Sequence, residues 1–450
     1  MVLTKEELLE KAKKPSIDAM RLHPFYKGKI ETGIKCCLRN FDDFSIWYTP
    51  GVAKPCLDIR DNPDKAYEHT NKANAVAVVS NGTRVLGLGN IGAQASMPVM
   101  EGKALLFKYL GGVDAYPICL DTKDPDKVIE IVKIFQPSFG GINLEDIEKP
   151  DCFYILDTLR KDPTMKIPVF HDDQQGTAAI NLAGLINALK IVGKKIQDVQ
   201  VVFNGAGAAN VAIYRLLVAA GVKPVHTLIT DSKGILSRTD ESLKSPEPYK
   251  YDLACQTNPS CITGRLGKAL KGADVLISCG ANGPGALKIQ DIKGMASNSI
   301  VFACENPIPG IWPWEATEAG VKVFATGRSD FEGHSQINNS LGFPAIFRGT
   351  LDVQARTITD EMCIAAAREI AKVAEEKGNL NPGYVVPTMD EWDLFPREAV
   401  AVAQKAMEQG VARLKKSKQD LLANAEAMIK RSREIVQSLM KSGHIKDPPV

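Results

Sequence analysis

The sequence has no C-x-x-C pair among its ten cysteines, and Cys36 and Cys37 are adjacent. Zinc sites and disulfide frameworks usually have regular cysteine spacing, so neither is indicated, and reduced thiols are expected. The sequence also has no excess of one charge, because its formal net charge is only +2 over 450 residues. A protein that binds DNA or RNA usually carries a strongly basic surface. We therefore expect no nucleic-acid partner.

Long apolar runs are missing as well. No stretch is long and apolar enough to cross a bilayer, which predicts no membrane partner. Met1 is followed by Lys5, Glu6 and Glu7 rather than by a basic region and an apolar run, which argues against a secretory signal. A cytoplasmic location is the expectation that follows.

The composition is that of a globular protein, with 44% hydrophobic and 24% charged residues. A chain of 450 residues exceeds what one hydrophobic core usually organises, so we expect two or three domains with a cleft between them.

Short apolar runs alternate with helical patterns along most of the chain, which predicts an α/β fold with parallel sheets. The candidate strands are Ala75 to Val79, Ala115 to Leu120, Val169-Phe170, Val199 to Phe203, Val225 to Thr230, Val275 to Ile277, Ile300 to Ala303 and Val321 to Phe324. A helix is predicted from Thr177 to Val192, ending at Gly193. We expect an N-terminal α/β substrate domain (1–165), a Rossmann-type doubly wound parallel-sheet domain (166–385) and a C-terminal helical segment (386–450).

A glycine-rich turn follows the strand that ends at Phe203. The order of strand, turn and helix around Asn204-Gly205-Ala206-Gly207-Ala208-Ala209-Asn210 is typical of a dinucleotide site. Gly205 and Gly207 let the backbone approach a pyrophosphate, and the helix N-terminus at Ala208 and Ala209 attracts the same anion. Asn210 replaces the third glycine of the motif, so helix and strand are expected to pack slightly further apart.

Asp231 follows a second strand at the spacing of an acid that binds the adenosine ribose. It favours NAD, but Lys233 and Arg238 lie close enough in sequence to contact the 2′-phosphate of NADP. The choice between NAD and NADP stays open.

Two acidic pairs, Glu145-Asp146 and Asp172-Asp173, are placed after candidate strands, where loops line the crevice of an α/β sheet. Carboxylates that converge repel one another unless a cation neutralises them, and an all-oxygen set suits Mg²⁺ or Mn²⁺. His171 is interpreted as a structural neighbour rather than a ligand. Such dipeptides also occur as helix caps and in solvated loops, and each pair alone does not exclude that alternative.

Eight stretches occur in the order in which they occur in malic enzymes, and the chain resembles this family, particularly its shorter bacterial-type form, across most of its length. They are Tyr48 to Ala53, Asn81 to Gly92, Glu101 to Lys103, Glu145-Asp146, Asp172-Asp173, Gly205 to Gly207, Asn306-Pro307 and Asn338-Asn339. The resemblance implies oxidation of L-malate to oxaloacetate, decarboxylation to enolpyruvate and protonation to pyruvate. It also implies a homodimer or larger homo-oligomer.

The resemblance assigns roles to matching residues. Glu145, Asp146 and Asp173 look like the metal ligands, with Asp172 a supporting neighbour. Lys103 looks like the general base, its pKa lowered by the adjacent cation and by burial, and Tyr48 like the general acid. Asn306 and Asn339 look like donors to the substrate carboxylates, Asn306 also like a cofactor contact, and Arg84 like a less certain substrate contact.

Structural alternatives exist for several of these residues. Lys103 also fits the first turn of a helix from Gly102 to Leu110, and Tyr48 fits a core aromatic beside Phe44 and Trp47. Gly87, Gly89 and Gly92 imitate a second dinucleotide motif, but we interpret them as a tight turn. Three other functions share parts of the pattern, namely a malolactic-type lyase, a metal-independent amino-acid dehydrogenase and a dinucleotide-sensing interaction protein.

Overall fold

A computed structural model describes residues 5–280, 283, 285–306, 308–328, 331 and 333–449, without the side chains of residues 5, 6, 8, 9, 11 and 12. Two parallel sheets with flanking helices form its framework, as the sequence predicts. Within the described residues, no helix combines the length and the apolar character that a membrane span requires.

The first sheet has four parallel strands, and their order is β2-β1-β3-β4. These strands are β1 (Ala75–Ser80), β2 (Asp114–Cys119), β3 (Gly141–Leu144) and β4 (Val169–His171). Every residue of β1 is buried, as expected for a central strand covered on both faces. The strand order reverses between β1 and β3, so a crevice opens at the carboxyl ends of these two strands.

The helices of the N-terminal part are α1 (Lys5–Tyr26), α2 (Asp43–Trp47), α3 (Ala53–Asp61), α4 (Ala66–His69), α5 (Ala93–Gly111), α6 (Pro125–Phe135) and α7 (Asp151–Lys161). Helix α5 packs against β1 and β2. Before it, residues 85–92 form the predicted tight turn, in which Val85 donates to the Gly89 carbonyl over 2.9 Å and Gly89 has a φ of 80°.

The second sheet has six parallel strands in the order β10-β9-β8-β7-β5-β6. Its strands are β5 (Val201–Asn204), β6 (Thr227–Thr230), β7 (Val275–Ser278), β8 (Ile300–Ala303), β9 (Val323–Thr326) and β10 (Ser335–Gln336). The order reverses between β5 and β7, which is the switch point of a Rossmann-type sheet. Its helices are α8 (Thr177–Val192), α9 (Ala208–Ala219), α10 (Tyr249–Gln256), α11 (Leu266–Ala269), α12 (Ile289–Ile292) and α13 (Pro313–Glu318).

The prediction of helix α8 is confirmed at both ends, and Gly193 ends it in the left-handed region with a φ of 69°. No candidate range covers strand β3 or β10, although a strand was expected before Glu145-Asp146. Strand β3 is only four residues long and begins with glycine, and β10 has two residues, so neither produces a recognisable apolar pattern.

The four last helices are α14 (Phe343–Asp352), α15 (Asp360–Glu376), α16 (Leu394–Glu408) and α17 (Lys418–Lys441). Helices α14 and α17 pack on α5 of the first unit, and α15 packs on α8. The rings of Phe343 and Phe347 lie 4.6 and 5.2 Å from Phe107 of α5, measured between centroids. The C-terminal helices therefore complete the hydrophobic core of the N-terminal unit.

The predicted domain boundaries at residues 165 and 385 remain predictions, and elements on either side of each boundary are in contact. Strand β4 pairs with β3 in the first sheet, beyond the boundary at residue 165. The boundary at residue 385 falls between α15 and α16, which pack against each other, and the terminal helices already begin at Phe343. Sequence periodicity predicts whether a segment is a helix or a strand, but it does not predict which distant helix or strand packs against that segment.

Helix α16 contains a buried carboxyl group, Glu398. Both of its oxygen atoms lack a hydrogen-bond partner among the described residues, and burial raises its pKa well above the ordinary value. The neutral form is thus favoured in the folded protein. Above the ordinary pKa the unfolded chain loses this proton while the folded chain keeps it, so stability falls as pH rises towards the folded pKa.

We predict that Glu398→Gln flattens the dependence of unfolding free energy on pH, because glutamine has no proton to lose. The wild-type slope from this group is at most about 1.4 kcal/mol per pH unit. Urea unfolding at a series of pH values from about 5 to about 8 measures the slope. Glu426→Gln, on the exposed side of α17, serves as the control and should leave the slope unchanged. Equal slopes for Glu398→Gln and wild type would contradict the prediction.

Candidate active site

Three carboxylates converge at the crevice of the first sheet. Glu145 and Asp146 directly follow β3, and Asp173 lies in a π-helical turn, residues 172–176, that follows β4. One oxygen atom from each lies within 4.8 Å of the others. Asp146 has a φ of 54°, unusual for a residue other than glycine, and its backbone N–H donates to Asp173 Oδ2 over 2.8 Å. The backbone is shaped to hold these side chains together.

The electrostatics of this cluster favour a bound cation. Burial, with repulsion from Asp173 second, raises the pKa of Glu145 well above its ordinary value and that of Asp146 to about 8. Asp146 Oδ2 is buried and has no hydrogen-bond partner among the described residues. An all-oxygen donor set with an unsatisfied buried oxygen fits Mg²⁺ or Mn²⁺. That these three residues ligate a metal remains a prediction.

His171 ends β4 and is completely buried. Its Nδ1 lies 3.7 Å from Asp173 Oδ2, and burial lowers its pKa to about 4. The ring is therefore neutral and adds no positive charge to the cluster.

Lys103 points into the same cluster. It lies in the third turn of α5, which begins ten residues earlier at Ala93, so the alternative of a first-turn lysine is wrong. Its Nζ lies 3.1 Å from Glu145 Oε1 and 4.5 Å from the centroid of the Phe343 ring, and it donates to Asp172. A lysine in contact with two buried carboxylates is placed to exchange protons with a bound substrate.

Without a cation, the pKa of Lys103 is shifted in the direction opposite to that expected. Burial lowers the pKa, but Asp172, Glu145 and Asp173 together outweigh burial and raise it. The physical reason is that unneutralised carboxylates stabilise the ammonium form. A divalent cation on the cluster would offset those negative charges. Burial, which lowers the pKa of Lys103, would then be the larger effect.

Asp172 is completely buried and faces Lys103. Its carboxylate occupies the space beside Gly176, where a Cβ atom would lie 1.8 Å from Asp172 Oδ1. Only glycine fits at position 176. The placement agrees with the expected supporting role, and Gly176 is a residue of the site that sequence reasoning missed, although it stands in the same motif.

The loops of the second sheet place Asn339 next to the carboxylate turn and place Asn306 and Asn338 beside Gly327. A Cβ atom at Gly176 would lie 3.5 Å from Asn339 Cβ, so Asn339 is next to the turn that holds the carboxylates. A Cβ atom at Gly327 would lie 2.6 Å from Asn306 Nδ2, and Asn338 Nδ2 donates to the Gly327 carbonyl over 3.2 Å. Both asparagine stretches therefore lie at the carboxyl ends of β8 and β9, although Pro307 lies outside the described residues.

Arg84 lies beside the cluster from the other side. Its backbone N–H donates to the Asp146 carbonyl over 3.0 Å, and its charge lowers the pKa of Asp146, against the larger effect of burial. Arg84 therefore contributes a positive charge beside the carboxylate cluster. Whether Arg84 contacts the substrate remains a prediction.

The glycine turn after β5 has the geometry of a phosphate site. Gly205 has a φ of 105°, and Gly207 precedes α9 without any side chain that caps the helix. The N–H groups at Ala208 and Ala209 therefore lie in a helix N-terminus that can bind a pyrophosphate. The turn fits the predicted dinucleotide.

Asn210 does not loosen the packing of helix on strand. It is buried, and its Nδ2 donates to the Asn204 carbonyl over 2.8 Å and to the Gly205 carbonyl over 2.9 Å. The side chain therefore ties α9 to the end of β5 at the position where the usual motif has glycine. Where a wider spacing between helix and strand was expected, two hydrogen bonds join them.

Asp231 follows β6, as predicted, and its carboxylate accepts the N–H groups of Lys233 (2.8 Å) and Gly234 (3.2 Å). It also pairs with Lys250 over 3.0 Å, a contact that sequence reasoning missed because Lys250 is nineteen residues further along the chain. Arg238 donates instead to the Pro259 carbonyl. An acid and a lysine together leave the choice between NAD and NADP open.

Tyr48 is not brought to this cluster within the chain. It lies at the end of α2, its residue surface is 72% exposed, and no hydrogen bond or ion pair of the described residues joins it to Lys103 or the carboxylates. The alternative of a core aromatic is also wrong, since Phe44 and Trp47 are about half exposed as well, at 51% and 50%.

Two known protein families match most of the chain. Residues 27–160 match the family described as "Malic enzyme, N-terminal domain", and residues 174–407 match "Malic enzyme, NAD binding domain". The chain belongs to the malic enzyme family. Residues 161–173, which include β4, lie between the two matches.

Relatives of this chain include two bacterial enzymes and one solved structure. It is 52% identical to an NAD-dependent malic enzyme of Geobacillus stearothermophilus, over 86% of this chain and 78% of the relative. It is 48% identical to a bifunctional malic/malolactic enzyme of Bacillus subtilis, over 88% and 94%. The crystal structure of the Entamoeba histolytica malic enzyme superposes with a TM-score of 0.95 at 47% identity, covering 100% of this chain and 93% of that one.

We predict that Asp173→Asn weakens Mn²⁺ binding by more than about tenfold, because an amide replaces a charged ligand. Isothermal titration of the purified protein with Mn²⁺ measures the affinity directly, without turnover. Glu148→Gln is the matched control, since Glu148 is close in sequence but outside the cluster of three carboxylates. An Asp173→Asn protein that binds Mn²⁺ like the control would remove Asp173 from the ligand set.

We also predict that Asn210→Ala weakens dinucleotide binding severalfold, since it removes two hydrogen bonds that fix the turn, each worth about 1 kcal/mol. Fluorescence titration with NADH and NADPH gives the affinity. The Mn²⁺ affinity of the same variant should stay at the wild-type value because the Asn210 side chain bonds to Asn204 and Gly205 and not to the metal cluster. Unchanged dinucleotide binding would show that the turn holds its shape without Asn210.

Proposed function

We propose that this protein catalyses the oxidative decarboxylation of L-malate to pyruvate and CO₂ with reduction of NAD or NADP, assisted by Mg²⁺ or Mn²⁺. The observation that carries the proposal is the contact of Lys103 with Glu145, which belongs to a cluster of three carboxylates of which two are buried. The turn that holds this cluster lies next to Asn339 of the dinucleotide-binding unit. Membership in the malic enzyme family supports it. A cytoplasmic location and a homo-oligomeric state remain predictions.

The chemistry balances as L-malate plus NAD(P)⁺ giving pyruvate, CO₂ and NAD(P)H. Glu145, Asp146 and Asp173 would hold a divalent cation, which would supply Lewis acidity to the bound substrate. Lys103 takes the proton of the C2 hydroxyl. A dinucleotide held at the turn of Gly205 and Gly207 would accept the hydride from C2. Asn306, Asn339 and Arg84 orient the substrate carboxylates.

The second half of the reaction needs a proton donor. Loss of the C4 carboxylate as CO₂ leaves the enolate of pyruvate, which must receive a proton at C3. We assign this donation to Tyr48, although no hydrogen bond among the described residues joins it to the cluster, and the proton that Lys103 holds would restore its neutral form. The site must also exclude water from the enolate, because an exposed tyrosine would compete with solvent as a donor.

The first test is turnover. We predict that L-malate, Mn²⁺ and NAD or NADP give pyruvate and CO₂ in equal amounts with the reduced cofactor, which is followed at ~340 nm while pyruvate is measured separately. The Bacillus subtilis relative is named as a malic/malolactic enzyme, so lactate is measured too. Lactate formation without reduced cofactor would favour the lyase, and no product with either cofactor would defeat both proposals.

The second test separates the two proton transfers. Lys103→Ala should lower kcat for malate oxidation by a factor of about 10² to 10⁴, the usual effect of losing a general base. Lys108→Ala is the control on the same helix, because Lys108 pairs with Asp114 away from the cluster. Tyr48→Phe should impair pyruvate formation more than hydride transfer, which is measured as reduction of oxaloacetate by NAD(P)H. Equal losses in both steps would argue against a proton-donor role.

A further inference from the structure

Two cysteines lie side by side at the carboxyl edge of the dinucleotide-binding sheet. Cys279 directly follows β7 and Cys304 directly follows β8, and these two strands are hydrogen-bonded neighbours. Their register pairs Ser278 with Ala303, and the Cys304 N–H extends the ladder by donating to the Ser278 carbonyl over 2.9 Å. Cys279 and Cys304 therefore occupy opposite positions in the next step of the same register.

The two thiols lie on the same face of the sheet and are hydrogen-bonded. Both are free cysteines, partly buried against one hydrophobic core. Cys279 bonds to Cys304, and the Cys304 thiol in turn donates to Asn181 Oδ1 over 3.5 Å. Neighbouring strands lie about 4.8 Å apart. That spacing falls within the range of about 4.4 to 6.8 Å between Cα atoms that a disulfide spans.

The thiol pair lies between the dinucleotide turn and Asn306. A Cβ atom at Gly205 would lie 3.1 Å from Gly280 Cα and 3.4 Å from the Cys279 carbonyl oxygen, so the chain after β7 contacts the glycine turn. On the other strand, Asn306 Nδ2 donates to the Cys304 carbonyl over 3.4 Å. A covalent bond between the thiols would therefore act on the backbone that supports both the turn and Asn306.

We propose that Cys279 and Cys304 form a thiol–disulfide site, which hydrogen peroxide oxidises and a dithiol reduces, and that its oxidation weakens dinucleotide binding. A disulfide brings the two sulfur atoms to about 2.05 Å, closer than hydrogen-bonded thiols approach. Its formation thus moves the ends of β7 and β8 against each other beneath the glycine turn. The site is independent of the proposed function, because it concerns dinucleotide binding rather than malate chemistry.

The hydrogen bond between the thiols assigns their roles in the oxidation. That bond, with burial second, raises the pKa of the Cys279 thiol well above its ordinary value, so Cys279 keeps its proton and Cys304 attacks first. The Cys304 sulfur attacks one oxygen of hydrogen peroxide, the O–O bond breaks, and a sulfenic acid and water form. The Cys279 sulfur then attacks the sulfenic sulfur, the S–O bond breaks, and a second water leaves. Two thiols and one peroxide give one disulfide and two waters.

Peptide mapping tests the covalent bond. The reduced protein is treated with hydrogen peroxide, and the remaining thiols are alkylated before digestion with trypsin. Cys279 lies in the tryptic peptide 272–288 and Cys304 in the peptide 294–322, and each peptide contains no other cysteine. We expect these two peptides to be joined by a disulfide. Recovery of both peptides unlinked after peroxide treatment would overturn the proposal.

Isotope labelling separates a bond within one chain from a bond between two chains. Labelled and unlabelled protein are mixed in equal amounts and oxidised together. A disulfide within the chain joins labelled to labelled peptide and unlabelled to unlabelled peptide. Linked peptides of mixed labelling in statistical proportion would place the bond between chains and contradict the proposed geometry.

The order of attack is tested with dimedone, which traps sulfenic acids. Cys279→Ser removes the second thiol, so the sulfenic acid on Cys304 should persist and be trapped on the peptide 294–322. Cys304→Ser removes the attacking thiol, and no adduct is expected on Cys279. An adduct on Cys279 alone would show that the assigned roles are wrong.

Fluorescence titration with NADH and NADPH tests the consequence without turnover of malate. After excess peroxide is removed, the oxidised protein should bind the dinucleotide about fivefold more weakly, as for the loss of one hydrogen bond. Dithiothreitol should restore the affinity. Cys304→Ser should show no change on peroxide treatment, whereas Cys255→Ser, at an exposed cysteine of α10, is the matched control and should respond as wild type does.

Two results of this titration count against the site. If oxidised wild type binds the dinucleotide as tightly as the reduced protein, the disulfide has no effect on the turn. If Cys304→Ser loses affinity as much as wild type does, another thiol is responsible. Either result would overturn the proposal.

Discussion

Mutual repulsion among buried carboxylates is the constraint around which this structure is arranged. Glu145, Asp146 and Asp173 hold oxygen atoms within 4.8 Å of one another, and burial raises the pKa of the first two. Such a cluster is unfavourable unless a positive charge is close. Lys103 supplies one charge from α5, and the geometry leaves room for a divalent cation to supply the rest.

The surrounding elements follow from the need to hold that lysine and those carboxylates in place. Helix α5 must present Lys103 to the crevice, and it does so because α14 packs on its inner side through Phe343 and Phe347. At Gly111 a Cβ atom would lie 2.6 Å from the Pro344 carbonyl, so the two helices meet at close range. The C-terminal helices are therefore part of the support for the site rather than an appendage.

The two sheets contribute different parts of the chemistry at their switch points. The crevice between β1 and β3 carries the carboxylates, and the crevice between β5 and β7 carries the glycine turn. The π-helical turn after β4 leads directly into α8, the helix that enters the second unit. Because this turn belongs to both units, a shift of one sheet against the other would move Asp173 relative to Glu145.

The sequence by itself determined the classes of elements and the chemistry of the site. Apolar runs, glycine turns and acidic pairs are local signals, so β1, α8 and the turn at Gly205 could be predicted, as could the ordered motifs of the malic enzyme family. The tertiary structure alone decided the pairing of β4 with the first sheet, the contact of Asp231 with Lys250, the direction of the Lys103 pKa and the separation of Tyr48 from the cluster. The physical reason is that each of these depends on contacts between residues far apart in the chain, and periodicity carries no record of which distant surfaces meet.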